Sequence, residues 1–456
     1  MSAAFTASEV AAVLGLPAPE SERTFDSVST DSRKLQAGAL FVALHGENGE
    51  GVDYLEDALR AGAAGAVVPA GVELPSLPLE YFRVEDTKHA LGELAAAYRR
   101  RCGARVVAIT GSSGKTTVKE MIRHAIGTSR QVHATRGTEN NQIGVPISIL
   151  AAPLEAEFWV LELGSSEPGE IARLTEIAAP DDAVVTTIGP AHLEGLGDES
   201  GVLREKLALV EGTDASGTIV VGERPSSLPE AARRIRPDTV VAGLEETADY
   251  APERHESHAT HVWFDRGRVR YRIEAGGEHH LRDALIAAAL AEAVGIDPPE
   301  VARGLAEFRP LGMRGAVRQL GTLTVVADCY NANPESFEAA IDYCTRSFPG
   351  RSLAAVVGTM LELGDHSGPA HREVARSLTD AGFRTVAASG EFSRAFKELG
   401  SATNGTRVIS SPDPEDSWDA LRQALSGDEV VLVKGSRGVK LERIVEKLAG
   451  HFGSED

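Results

Sequence analysis

The sequence predicts three consecutive α/β domains, the second and third built on parallel sheets. Three observations carry that expectation. The chain has 456 residues, room for roughly three domains at ~150 residues each. Through most of its length, strand-like apolar runs alternate with amphipathic helical stretches, the pattern of a sheet covered by helices. And "RVVAITGSSGKTTVKEM", Arg105 to Met121, drops an apolar run into a Gly/Ser turn directly before a helix, an arrangement that holds phosphates.

The first unit spans residues 1–84. Its opening "MSAAFTASEVAAVLGL" has no basic n-region and reads as an amphipathic helix rather than a secretion signal. "ALFVAL" reads as a strand, "YLEDALRAGAAGAVVP" as helix, glycine turn and strand, and the Pro-rich "VELPSLPLEYFRVED" as the exit.

The second unit, residues 85–311, starts with the helix "HALGELAAAYRRR". Its strands include "RVVAIT", "EFWVLELG" and "DAVVTTIG", and its helices Thr116–Ile126 and Glu199–Val210. Near its end "ATHVWFDRGRVRYRIEAGGEHH" alternates like an antiparallel hairpin turning near Asp265-Arg266-Gly267. The third unit, residues 312–456, repeats the βα alternation in "LTVVADCY", "SLAAVVG", "RTVAASG" and "EVVLVKG".

Composition removes several function classes. A hydrophobic fraction of 42% and a charged fraction of 25% belong to a soluble globular protein. The net charge of −21 repels nucleic acid. The apolar "ALIAAALAEAVG" is interrupted by Glu292 and too short to span a bilayer, so no membrane insertion is expected. Cys102, Cys329 and Cys344 lack disulfide-scaffold or metal-ligand spacing, and a cytoplasmic monomer is expected.

In "TGSSGKTT" the glycines Gly111 and Gly114 let successive N–H groups, including those of Ser112 and Ser113, converge on one anion. Lys115 would neutralise the β/γ-phosphate region, the Thr116 hydroxyl would ligate Mg2+, and Thr117 follows in the first helical turn. This is the short G-x-x-G-K-T-T form, with Ile109 where a longer loop has a further glycine.

Such a loop could drive motion, serve as a switch or pass a phosphoryl group on. A transferred phosphoryl carries spread negative charge, so its catalysts are cations and positioning, and divalent metal needs carboxylates or imidazole nearby. Glu162 ends an apolar strand where packing gives a carboxylate no reason to be; an edge-strand position facing solvent is the bland alternative. His192 follows the next strand in a Gly/Pro loop, where a histidine is usually surface decoration. Together they suit the carboxyl edge of an open sheet, where ligands bind. Lys206, in "GVLREKLALVEG", reads most simply as a solvated face residue, although a lysine amine can add CO2 and become an anionic carbamate.

These motifs together resemble the Mur ligase family of bacterial cell-wall synthesis. The likeness runs nearly end to end, through "STDSRKLQAGALFVALHGENGEG", "TGSSGKTT", "TENNQIGVP", "ELGSSEPGEI", "TTIGPAHLEGLG", "DCYNANPESFEAAI", "MLELGDHSGPAH" and "KGSRGVKLE". The resemblance implies an N-terminal substrate domain, a central P-loop ATPase domain and a Rossmann-like C-terminal domain. It implies ATP-dependent amide synthesis: the γ-phosphoryl goes to a carboxylate of a UDP-linked muramyl tripeptide, and the amine of D-Ala-D-Ala attacks the acyl phosphate. "YNANP" favours this dipeptide-adding branch, and the Asp-Asn-Pro-Arg stretch typical of the diamino-acid-adding sister does not occur.

By the same likeness Thr116 and Glu162 ligate one Mg2+, while His192 and a carbamylated Lys206 serve another. Asn331 and Asn333 meet the nucleotide across the domain cleft, Asp328 lies near the ribose, and Arg314 at the hinge meets phosphate. Asp31, Ser32 and Arg33 hold the uridine end, and Thr138, Asn140 and Asn141 line the muramyl-peptide channel. One motif departs: "GEHHLRDALIAAAL" places His280 and Asp283 where the family carries adenine-reading asparagines, and both side chains can hydrogen-bond. Glu167 and Glu170 keep the family's acidic pattern and equally suit a helix N-terminus. Closure is expected about Arg309–Arg314, excluding water from the acyl phosphate.

Overall fold

The structure, a computed structural model, describes residues 4–20, 22–46 and 49–453. Residues 1–3 of the opening stretch and Glu47-Asn48 of the first family-like motif lie outside them. The opening stretch is not helical throughout. Phe5–Thr6 pairs antiparallel with Thr24–Phe25, and the helix Ala7–Val13 begins only where Thr6 and Glu9 form a reciprocal capping box. Beyond it a four-stranded parallel sheet runs in the order Val28–Ser29, Leu40–Val42, Gly65–Pro69, Glu80–Val84.

The helix Thr87–Arg100, capped by the Asp86 carboxylate, leads into a six-stranded parallel sheet. Its order is Val132–Ala134, Phe158–Glu162, Arg105–Thr110, Asp182–Val185, Ile219–Gly222, Val240–Ala242. The inner strands are buried on both faces, which is why they read as unbroken apolar runs. From Arg105–Thr110 the chain goes to the edge strand Val132–Ala134, returns to fill Phe158–Glu162 between the two, then crosses to Asp182–Val185 on the other side. That reversal is a topological switch point. Glu162 pairs with Ile109 and Val185 with Thr110, so the phosphate loop, Glu162 and the His192 loop all leave one carboxyl edge.

The expected hairpin is present, with Arg266 opposite Val269, and a third strand, Arg254–Ser257, extends it. The apolar helix Glu278–Ala293 packs across Lys115–Gly127. Glu292 does not break it: its Oε1 accepts hydrogen bonds from the Tyr250 hydroxyl at 2.6 Å and the Tyr271 hydroxyl at 2.5 Å.

The C-terminal sheet is mixed rather than purely parallel. Five parallel strands, in the order Leu323–Asp328, Val430–Lys434, Leu353–Val357, Phe383–Ser389, Arg407–Ser411, carry Ala316–Leu320 as an antiparallel edge. Leu320 pairs with Leu323 across Gly321-Thr322, a connection far too short for the crossover a parallel pair requires. The domain architecture is otherwise the one the sequence predicts. Among the described residues no helix is long and apolar enough to cross a membrane.

Candidate active site

The phosphate loop is fixed by close approach. Gly111 has φ +142°, and a Cβ there would stand 2.0 Å from Thr186 Oγ1. Gly114, at φ +81°, would place one 2.7 Å from Asp283 Oδ1. Both positions therefore require glycine. Ser112 Oγ donates to the Gly189 carbonyl at 3.0 Å, binding the loop to the segment after the next strand. Lys115 opens the helix Lys115–Gly127, and its Nζ reaches back to the Gly111 carbonyl at 2.7 Å and the Ser112 carbonyl at 3.3 Å. Burial lowers its pKa, opposed by the charge of Glu162.

Glu162 is 1% exposed, not at a solvent-facing edge. Thr116 Oγ1 donates to its Oε2 at 2.9 Å, and Asn140 Nδ2 donates to its Oε1 at 2.8 Å. Lys119, wholly buried one helical turn from Thr116, places Nζ 3.8 Å from Glu162 Oε2 while donating to the Thr135 and Gly137 carbonyls. Thr138 hydrogen-bonds the Tyr330 hydroxyl across the domain boundary. Asn141 Oδ1 accepts from the Ile143 and Gly144 amides just ahead of the helix Gly144–Leu150.

Lys206 is not solvated. It is 1% exposed in the helix Glu199–Gly212, and its Nζ donates to Ser165 Oγ at 2.7 Å. Burial first, then the charge of Lys115, brings its pKa down to about 7, against the opposing Glu205 and Glu170. Glu205 accepts from the Gly169 and Ile171 amides, both at 2.7 Å, at the start of the helix Glu170–Ala178. Glu170 accepts from the Ser166 and Glu167 amides and from Gln142, whereas the Glu167 carboxylate is exposed. His192 has a left-handed backbone and its Nδ1 meets the Glu362 carboxylate from the C-terminal domain.

The opposite wall comes from the C-terminal domain. Asn333 caps the helix Pro334–Ser347, its Oδ1 accepting from the Ser336 amide while Nδ2 donates to Ser113 Oγ at 3.3 Å. Asn331 is exposed on the cleft wall. Asp328 is paired to Lys434 Nζ at 2.6 Å, so its carboxylate is already engaged. The Arg314 guanidinium lies 3.9 Å from the Tyr330 ring centroid.

Lys115, Thr116, Glu162, His192, Arg314 and Asn333 line one cleft of about 980 Å³ between the central and C-terminal domains, and Lys206 sits behind it on the lining Ser165. His280 and Asp283 border it too. His280 bonds through Nδ1 to the Gly276 carbonyl at 2.7 Å, and burial drives the Asp283 carboxyl well above its usual range. Asp31, Ser32 and Arg33 do not reach this cleft; Arg33 makes a two-pronged pair with Asp31 on the N-terminal domain.

Sequence reasoning missed Lys119, Glu205, Glu335, Glu362 and Tyr330. Spacing held a clue for Lys119 alone, one helical turn past Lys115-Thr116 on the face that packs inward. The others depend on which segments meet.

Among the described residues no three His, Cys, Asp or Glu side chains group as a metal site. The adjoining Thr116 hydroxyl and Glu162 carboxylate are hard oxygen donors, which fit Mg2+ when nucleotide oxygens complete its shell. As an ammonium Lys206 could not ligate; its neutral amine, accessible near pH 7, is the form that can take up CO2.

Family models match in three successive stretches: the Mur ligase family catalytic domain over residues 24–99, the Mur ligase middle domain over 109–291, and the Mur ligase glutamate ligase domain over 313–437. The chain belongs to the Mur ligase family. This Mur ligase is 35% identical over 436 residues to the UDP-N-acetylmuramoyl-tripeptide–D-alanyl-D-alanine ligase of Bacillus subtilis (strain 168), covering 94% of each chain. It is 33% identical to the enzyme of that name from Escherichia coli (strain K12), covering 97% of this chain and 98% of the other. Among solved structures, MurF from Acinetobacter baumannii superposes with a TM-score of 0.88 at 26% identity, over 98% of this chain and 99% of that one. A MurF ligase from Thermotoga maritima in complex with ADP gives a TM-score of 0.80 at 28% identity, over 93% and 97%.

Proposed function

We propose that this ATP-dependent amide ligase of the Mur family joins D-alanyl-D-alanine to a UDP-N-acetylmuramoyl-tripeptide through an acyl phosphate, in peptidoglycan precursor synthesis. The observation that carries the mechanism is the convergence of Lys115 and the Thr116–Glu162 pair on one cleft wall, with Lys206 behind it bonded to the lining Ser165, facing the helix that opens at the end of "YNANP". Similarity over almost the whole chain to ligases named for these substrates supports their identity.

Carboxylate and triphosphate repel each other, so bringing them together takes concentrated positive charge. Lys115 supplies part of it from the phosphate loop, and Arg314 supplies more from the hinge. Thr116 and Glu162 would hold one Mg2+, and His192 with a carbamylated Lys206 would hold a second. Bound there, the ions neutralise charge developing on the transferred phosphoryl group. Ser112, Ser113 and Thr117 bind the phosphates, Asn331 and Asn333 meet the nucleotide from the far wall, and Asp328 lies by the ribose. Asp31, Ser32 and Arg33 take the uridine end, and Thr138, Asn140 and Asn141 the muramyl peptide. On this reading residues 1–84 bind the sugar nucleotide, 85–311 bind ATP, and 312–456 bring in the dipeptide.

The experiment is phosphate release from ATP by the purified chain. Release that requires both the UDP-muramyl tripeptide and D-Ala-D-Ala, and that single amino acids do not support, is expected. Turnover indifferent to both would overturn the reading.

A further inference from the structure

Glu335 has no part in the roles above, yet it stands in the wall of the phosphate site. It is in the first turn of the helix Pro334–Ser347, delivered by the C-terminal domain. Its Oε2 accepts from Thr187 Oγ1 at 3.4 Å, and a Cβ on Gly189 would lie 2.5 Å from that oxygen. Beside it, Asn333 donates to Ser113 at 3.3 Å. One amide and one carboxyl thus dock this helix on the phosphate-loop region. Among the described residues no Lys, Arg or His forms an ion pair with Glu335.

The groups that face it explain why a carboxylate is out of place. Ser113 and Thr187 are neutral donors. Asp283 comes from the helix Glu278–Ala293, Glu199 from Glu199–Gly212, and Glu338 from Glu335's own helix. Lys115 is the one cation whose charge couples to it among these. An ionised Glu335 would add a further anion to the wall that faces the phosphate loop.

We propose that Glu335 is a positioning residue for ATP that works as the neutral acid, its hydroxyl donating to a nucleotide phosphate and drawing the C-terminal domain onto the phosphate loop. Above pH 7 nucleotide capture then takes up a solvent proton at this carboxyl, and below it the proton is already there, with no other bond made or broken. Burial, reinforced by Glu338 and Glu199 and opposed by Ser113 and Thr187, pushes the Glu335 pKa up to about 7, so the acid is present at working pH.

The test is equilibrium binding of Mg-ATP to the full chain from pH 6 to 9, without peptide substrates. The result is then independent of which acceptor the ligase uses. Wild-type affinity should weaken above pH 7 by up to tenfold per pH unit. Glu335→Gln keeps a donor that cannot ionise and should bind with that slope abolished, while Glu335→Asp should restore it. Contributions from Lys115 and Lys206 are common to all these proteins, so the difference in slope isolates Glu335. A Glu335→Gln slope equal to that of the wild type, or a flat wild-type profile, would overturn the proposal.

Discussion

Thr116 Oγ1 and Asn140 Nδ2 grip the two oxygens of Glu162, at 2.9 and 2.8 Å, from opposite sides of the phosphate-loop edge. A helix, a loop and a strand end therefore share one carboxylate. Its third neighbour is the buried Lys119, whose Nζ stands 3.8 Å from Oε2.

Glu162→Gln keeps the shape and removes the charge, turning one acceptor into a donor aimed at other donors. The expected loss is ~10²–10³-fold in kcat, the scale for a group that stabilises transition-state charge. Steady-state phosphate release checks it, with circular dichroism to show that the fold survives. An unchanged kcat would contradict the assignment.

Lys206 links the site to pH. Its folded-state pKa of about 7 lies below the ordinary lysine value of 10.5. Burial of the ammonium therefore costs stability in full below pH 7, and the cost fades as pH rises toward 10.5. Lys206→Met should melt above the wild type at pH 7, with the gap narrowing toward pH 10, and should be inactive. In 13C-bicarbonate at pH 8.5 the wild type should show a carbamate resonance that Lys206→Met lacks. Equal melting profiles at all pH values would count against the buried amine.

Glu205 should matter for stability through the helix it caps. Its removal leaves the Gly169 and Ile171 amides without their partner, and Glu205→Ala should cost about 2–3 kcal/mol in denaturant unfolding with an unchanged m-value. A cost near zero would show that water replaces the carboxylate freely.

His192 and Glu362 meet across the domain boundary, both with left-handed backbones, at φ +54° and +64°. His192 holds the Glu362 carboxyl below its usual range, so this contact persists above that range and weakens as pH falls through it. Glu362→Ala removes the carboxylate and keeps the strained left-handed backbone; Glu362→Gly removes it and also relieves about 1 kcal/mol of that strain. Both should lower kcat about tenfold if the contact holds the domains together, and the glycine variant should melt above the alanine variant. Small-angle scattering should show a more open shape for both. Unaltered scattering and kcat would remove the contact from the mechanism.

Much of this was legible in the sequence, for physical reasons. Parallel strands buried on both faces must be apolar, so Arg105–Thr110, Phe158–Glu162 and Asp182–Val185 announce themselves, and the glycine turn after the first marks the phosphate loop. Glu162 was visible because a carboxylate at the end of such a run breaks the pattern. Lys206 was not, because a lysine in an amphipathic helix looks solvated until the Ser165 loop closes over it. The antiparallel edge strand Ala316–Leu320 is too polar on its open side to stand out from a loop. Glu335, Glu362 and Tyr330 gain their meaning from groups far away in the chain, which no local pattern encodes.

The most direct test of phosphoryl transfer to a carboxylate follows one oxygen atom. With 18O in the terminal carboxylate of the muramyl tripeptide, an acyl phosphate route places one 18O in each phosphate released as the amide forms. Released phosphate free of 18O, its fourth oxygen coming from water, at the same rate of amide formation, would contradict it.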